Sequence, residues 1–316
     1  MLLNTQNSES RKVIQIGFLL RIAGAILAIT FISNIVDLPK LSEALRQADN
    51  NFILLAIFIA AASPLLTSSR LKLFLLAADI QISYSRCFFA NLCGLSLNLF
   101  LPARGGDLFK LAYLRKNGLP SWGILAGVAL WERGFDVLAL GLLGLAASLI
   151  LELHQAAIVT GTVIITATTG LLILPRVGSL PIIGKKAKNF SKIAIKAKKR
   201  KLCLFGCLCM CCLCWTANLT IMGLLLNALD DSTSLHYSFA VTPPSIFAGM
   251  VPVSLWGVGT RDGTLAYFLQ GITAPEIAIS AGFLYTALVY WLLGVIGTPF
   301  LLFAKRNLKE QLPVQD

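Results

Sequence analysis

Eight ionisable residues fall inside stretches otherwise apolar enough to lie within a membrane: Arg21, Arg104, Arg133, Arg261, Asp107, Glu132, Asp136 and Asp262. One charge at the centre of a membrane helix costs roughly 2.5–3.5 kcal/mol even on the lenient insertion scale. A set of this size implies a polar interior shielded from lipid. Spacing suggests how the charges pair. In WERGFD, Glu132 and Asp136 are four apart on one helical face, and Arg133 and Asp136 are three apart. In RGGD and RDG an arginine precedes its aspartate by three positions and by one. Such pairs can simply hold loop tips, because broken helices expose backbone groups that must be satisfied where water is absent. Their functional reading is an anion site. Arginine presents a planar fork suited to phosphate and carboxylate, glycine lets backbone approach a ligand, and helix N-termini add positive potential. The carboxylates would tune that site, carry a proton or bind a cationic part of the substrate. Arg21, about two turns into an apolar run, can instead snorkel to the interface.

The candidate substrate-contacting set is therefore Arg104, Gly105, Gly106, Asp107 and Lys110 in LPARGGDLFK; Glu132, Arg133 and Asp136 in WERGFD; and Gly257, Gly259, Arg261, Asp262 and Gly263 in WGVGTRDG. These residues need elements to position them. The 316-residue chain is 56% hydrophobic and 13% charged, with a mean hydropathy of +0.77. That is about half the charged fraction of a soluble domain. Apolar stretches of spanning length recur at about 13–33, 51–69, 121–151, 156–174, 202–228 and 276–303, and about 20 such residues cross the hydrocarbon core as a helix. No strand-like alternation points to a barrel. The first run is too long for a signal peptide and lacks a small-residue cleavage site.

Two further segments, 86–115 and 238–272, are apolar but interrupted at LPARGGDL and VPVSLWGVGTRDGTL. If the first crossed fully, Lys110, Arg115 and Lys116 would emerge among acidic loops. Both therefore read as re-entrant hairpins. The order is helix, helix, hairpin, helix, then the same again in opposite orientation, dividing the chain into inverted halves at about 13–151 and 156–303. Interrupted segments at corresponding positions of two inverted halves point to a transporter's binding site. The expected fold is an all-α polytopic integral membrane protein, one transmembrane domain with about six spans and two re-entrant hairpins.

The net charge of +12 does not indicate nucleic acid. Of 27 Lys and Arg residues, 23 read as belonging to loops and tails. These include Arg11, Lys12, Arg70, Lys72, Arg86, Lys110, Arg115 and Lys116, ten residues between Arg176 and Lys201, and the tail Lys305, Arg306 and Lys309. The intervening loops hold Asp37, Glu43, Asp49, Glu152, Asp230, Asp231 and Glu276 against Lys40 and Arg46. By the positive-inside rule both termini and the basic 175–201 loop are cytoplasmic, and the chain belongs in the cell membrane. That loop could also gather anionic lipids. Six of the eight cysteines lie between Cys203 and Cys214 inside an apolar helix, where free cysteine packs as a small hydrophobe. No nucleotide loop, zinc motif or nucleophile elbow is present, and His154 and His236 lie in external turns. No cofactor or metal is expected.

At LPARGGDLFKLAYL, WERGFD and VPVSLWGVGTRDG the chain resembles the lysylphosphatidylglycerol synthase transmembrane family, also described as the flippase-like domain family. Its members show a P-x-R-x-G-[DE]-x-x-[KR] hairpin, an E-R-x-x-D helix and a late P…G-x-G-x-R-[DE]-G segment. Pro102, Arg104, Gly106, Asp107, Lys110, Glu132, Arg133, Asp136, Pro252, Gly257, Gly259, Arg261, Asp262 and Gly263 match them. The resemblance implies lipid translocation: aminoacylated phosphatidylglycerol in bifunctional members, polyprenyl-linked sugars or other head groups in stand-alone ones. The sequence ends at residue 316 without the aminoacyltransferase domain, so a stand-alone member is expected. The leading expectation is a flippase, not an enzyme, moving a lipid with an anionic, aminoacylated or polyprenyl-linked head group by alternating access. The alternatives are an intramembrane lipid-linked transferase using Asp107, Glu132 and Asp136 as acid and base, or an accessory subunit of an envelope-lipid or glycan assembly complex.

Overall fold

The computed structural model of the chain describes residues 39, 43, 46–100, 105–116, 122–177, 200–230, 232–251 and 256–310. The expected first span, Arg21, Pro102, Arg104, Pro252, most of the basic loop, the N-terminal tail and residues 311–316 lie outside the described residues. Lys305, Arg306 and Lys309, read from sequence as a tail, belong to the last helix, Leu293–Glu310. What is described is helical, with no strand. In chain order the helices are α1 Asn50–Ala77, α2 Tyr84–Phe100, α3 Gly105–Lys116, α4 Trp122–Ile150, α5 His154–Val177, α6 Lys201–Leu229, α7 Leu235–Gly249, α8 Thr260–Phe268, α9 Pro275–Thr286 and α10 Leu293–Glu310. A π-helical turn, Ala287–Leu292, joins α9 to α10.

Five stretches are long and apolar enough to cross a membrane: Asn50–Ala77, Trp122–Ile150, His154–Ile173, Lys201–Leu229 and Pro275–Ala304. They coincide with five of the six expected spans. The four helices of the interrupted segments have 17, 12, 15 and 9 residues, short of the roughly 20 a crossing needs. Helices α2 and α3 double back on each other. The amide of Gly106 donates to Asn98 Oδ1 at 2.9 Å, a Cβ on Gly94 would lie 3.4 Å from Lys110 Cβ, and Phe89 stacks on Tyr113. The partners step down one arm as they step up the other, which is an antiparallel hairpin. Helices α7 and α8 pack together likewise, Gly249 lying against Gly257 and Arg261.

One expected boundary was wrong. The second span does not end at residue 69 but runs as α1 to Ala77, because Leu71, Phe74 and Leu75 are all buried in the core beyond it. Arg70, read from sequence as a loop cation, is consequently helical and buried, and Lys110, counted with the loop cations as well as with the site, is helical and buried on α3.

Helix α1 packs along α6, with the Asp49 amide donating to the Ala228 carbonyl at 2.9 Å at one end. At the other end Arg200 pairs with Asp79 at 2.6 Å and donates to the Leu76 carbonyl at 3.0 Å. The ends that the charge pattern assigns to one side are thus neighbours. Hairpin one lies on α10 and hairpin two on α4; α2 also touches α1 as α7 touches α6, and α3 touches α4 as α8 touches α9. Small residues permit these approaches. Gly297 abuts the Leu92 carbonyl, and Gly144 abuts Pro243. Buried Cys207 and Cys211 share the core with Leu71 and Phe74, Cys214 is buried as well, and all eight cysteines are free, as packing residues would be.

A Cβ at Gly106 would overlap the Gly94 carbonyl oxygen and the backbone of Asn98, whereas one at Gly206 meets nothing within 4 Å. Gly106→Ala is expected to destabilise the chain by roughly 1–3 kcal/mol and Gly206→Ala to leave it unchanged or slightly firmer. Thermal unfolding of the two variants in detergent checks this.

Candidate functional site

Helix α4 carries Glu132 and Asp136 one turn apart, both facing inward because α1 and α3 bring cations to that face. Arg70 donates to both carboxylates. Its Nη2 and Nε reach Glu132 Oε1 at 2.9 and 3.2 Å, and its Nη1 reaches Asp136 Oδ1 at 2.6 Å. Lys110 approaches Glu132 Oε2 at 3.4 Å. Arg133 completes the set, with Nη1 3.4 Å from Asp136 Oδ2 and Nη2 2.7 Å from Asp107 Oδ2. Every oxygen of Glu132 and Asp136 therefore faces a cationic donor. Arg70, Lys110, Glu132 and Asp136 are 8%, 3%, 1% and 2% exposed, while the side chains of Arg133 and Asp107 are 36% and 27% exposed. The network is sealed at Arg70 and opens at the Arg133–Asp107 pair.

Burying charges at this depth costs several kcal/mol per ion unless each is paired and hydrogen-bonded. Here the pairing is complete around α4, which explains how three carboxylates and three cations coexist in an apolar bundle. The arrangement also joins α1, hairpin one and α4, three elements distant in sequence.

The second cluster sits at the start of α8. Trp256, Gly257 and Gly259 adopt left-handed backbone with φ of 53°, 81° and 93°, turning the chain sharply into the helix. Gly259 is its N-cap, and its amide donates to Asp262 Oδ2 at 3.3 Å. Arg261 donates through Nε to Asp262 Oδ1 at 2.8 Å, and through Nη2 to the Gly282 carbonyl and to Thr286 Oγ1 at 2.8 Å. Its guanidinium lies 5.0 Å from the Tyr285 ring centroid, a cation–π contact. Gly282 leaves the space that Asp262 fills. Arg261 is 2% exposed, yet its Nη1 has no hydrogen-bond partner among the described residues.

The hairpin tips meet. The Trp256 indole Nε1 donates to the Asn98 carbonyl at 3.3 Å, and Asn98 is the residue whose side chain accepts from Gly106. Among the expected site residues, Asp107, Lys110, Glu132, Arg133 and Asp136 thus form one network, with Gly105 and Gly106 opening α3 beside it. Gly257, Gly259, Arg261 and Asp262 form the second. Gly263 is exposed and borders open space. Arg104 lies outside the described residues.

Sequence reasoning missed Arg70, Asn98, Trp256, Tyr285 and Thr286. Arg70 carried a signal, because the apolar run resumes immediately after it in LKLFLLA. The other four are ordinary residues of apolar helices and loops until the fold brings them to a charge or a hairpin tip. Among the described residues no group of three His, Cys, Asp or Glu side chains could hold a metal ion.

The family described as lysylphosphatidylglycerol synthase TM region matches residues 18–297. The match covers most of the chain, and the protein belongs to that family. A search of curated proteins gives no match.

Removing Arg70 would leave one oxygen of each of two buried carboxylates without its cation. Arg70→Met is expected to cost roughly 3–5 kcal/mol, while Arg70→Met combined with Glu132→Met costs less than the two single changes together, by at least about 1 kcal/mol. Equilibrium unfolding of the four proteins in mixed micelles measures that coupling.

Proposed function

We propose that this member of the lysylphosphatidylglycerol synthase TM family translocates a lipid head group across the cell membrane, with both termini cytoplasmic. The observation that carries the proposal is the buried charge network of α1, α3 and α4, which ends in a half-exposed Arg133–Asp107 pair at the mouth of hairpin one. An ion pair open at one end offers a guanidinium to an anionic group and a carboxylate to a cationic one. A head group can exchange into that pair while the sealed end keeps the helices in place.

Two further features support the reading. The packing partners of the two halves exchange, hairpin one lying on α10 where hairpin two lies on α4. That is the pattern expected of an inverted repeat whose halves rock against each other. The hairpin tips also touch through Trp256 and Asn98, which puts the breaks of both halves side by side. The substrate is a membrane lipid with an anionic, aminoacylated or polyprenyl-linked head group. Hydrophobic surface on the spanning helices, such as Phe58, Ile158, Ile165 and Phe205, suits their contact with lipid tails.

A transferase using the same carboxylates as acid and base is less well supported, because all four oxygens of Glu132 and Asp136 are held by cations. That full pairing does favour a second reading, an accessory subunit whose polar interior is structural. Transport separates the two. In proteoliposomes, fluorescent anionic phospholipids, aminoacylated phosphatidylglycerol and polyprenyl phosphates are offered in turn. The wild type is expected to move at least one of them, and Arg133→Gln to slow it ten-fold or more without lowering the melting temperature. No movement beyond protein-free vesicles for any lipid would sink the transport reading, and an Arg133→Gln protein as fast as wild type would sink the site.

A further inference from the structure

The helical rod formed by α9, the π turn and α10 is clamped to a different hairpin at each end. Upstream, Gly282 and Thr286 of α9 accept from Arg261 of hairpin two. Downstream, α10 is fixed to hairpin one. A Cβ on Gly294 would lie 3.0 Å from Leu99 Cβ, and the Thr298 and Ser96 hydroxyls are 3.1 Å apart. The π turn, Ala287–Leu292, lies between the two clamps. Single π turns are rare and locally loosen the helical ladder, and they occur preferentially at functional sites.

Trp291 of this turn meets the Trp256 ring edge to face, with centroids 6.4 Å apart at 82°, and Phe283 also packs against Trp291 at 5.5 Å and 89°. Trp256 in turn holds hairpin one through its bond to the Asn98 carbonyl. It does so from a backbone φ of 53°, a left-handed conformation seldom taken by bulky residues and kept only where the surroundings enforce it. An indole suits the position, having an apolar body for Trp291 and a single donor for a carbonyl.

We infer that Trp256 is a positioning residue, a latch that holds the two hairpin tips together, and that the π turn is the joint about which they separate. The role of this movement rests on the lipid-translocation reading; the latch itself does not. With the tips latched, the breaks of the two hairpins are held in contact. When the indole lets go, each hairpin moves with the half of the rod clamped to it, and the π turn absorbs the change. The ring of Trp291 follows, because it belongs to the joint.

The test is hydrogen–deuterium exchange of the full chain in lipid nanodiscs without added substrate, comparing wild type with Trp256→Phe. Phenylalanine keeps a ring against Trp291 and deletes only the donor. Loss of one neutral hydrogen bond shifts such an equilibrium by about five-fold. Exchange at 256–263 and 287–292 is expected to rise by about that factor, while 122–173 and 275–286 keep wild-type rates. A general packing role would instead raise exchange throughout. Unchanged exchange at both peptides, or a rise spread along the chain, would overturn the latch. Should Trp256→Phe not be recovered folded, Trp291→Ala loosens the same contact from the other side, with the same two outcomes. Because no lipid movement is measured, a wild type that fails to transport would remove the translocation reading and leave this result standing.

Discussion

The bridge from Arg70 to Glu132 and Asp136 is the contact on which the rest of this chain's interior depends. A guanidinium on α1 meets two carboxylates on α4 with the three donors Nε, Nη1 and Nη2. Neither helix could bury its charges alone, since an unpaired ion at that depth costs far more than apolar packing returns locally. Once α1 and α4 are joined, the remaining oxygens of Glu132 and Asp136 call for Lys110 from hairpin one and Arg133 from α4 itself. Charge balance thus recruits the hairpin, and close glycine contacts at Gly94 and Gly106 let its two arms fold tightly enough to deliver the lysine.

Hairpin two solves the same problem differently. Its arginine and aspartate are adjacent in sequence and satisfy each other at once, with the Gly282 carbonyl, Thr286 and the Tyr285 ring taking up part of the remainder. One cluster therefore ties three separate elements together and opens at a rim, and the other is compact, sealed and left with one donor on Arg261 unpartnered among the described residues. The two clusters are chemically unequal. On the translocation proposal, that inequality would give a head group two different environments along its path.

Much of this was legible in the sequence because the physical signals were local. The proline and glycine breaks at 102–106 and 252–263 marked the hairpins, and the spacing of Glu132, Arg133 and Asp136 placed them on neighbouring faces of one helix. Arg70 was misread because a rule that ends a span at its first charge cannot know that two carboxylates await on another helix. Lys110 was counted among the loop cations and also named for the site, and the site reading is the one that matches its contact with Glu132. Trp256 and Asn98 were invisible, since a backbone carbonyl leaves no mark in composition and the indole's partner is 158 residues away. The π turn was equally hidden inside a long apolar run, read as an uninterrupted helix over 276–303.

What ties the two clusters to a transport path is the claim that the hairpins enter from opposite membrane faces and meet at their tips. Membrane-impermeant thiol labelling of Gly118→Cys and Ser234→Cys in sealed, oriented vesicles tests it directly, with the wild type as background. These positions follow hairpin one and precede hairpin two. Opposed hairpins require that the two cysteines react from opposite sides. Labelling of both from the same side would contradict the inverted arrangement.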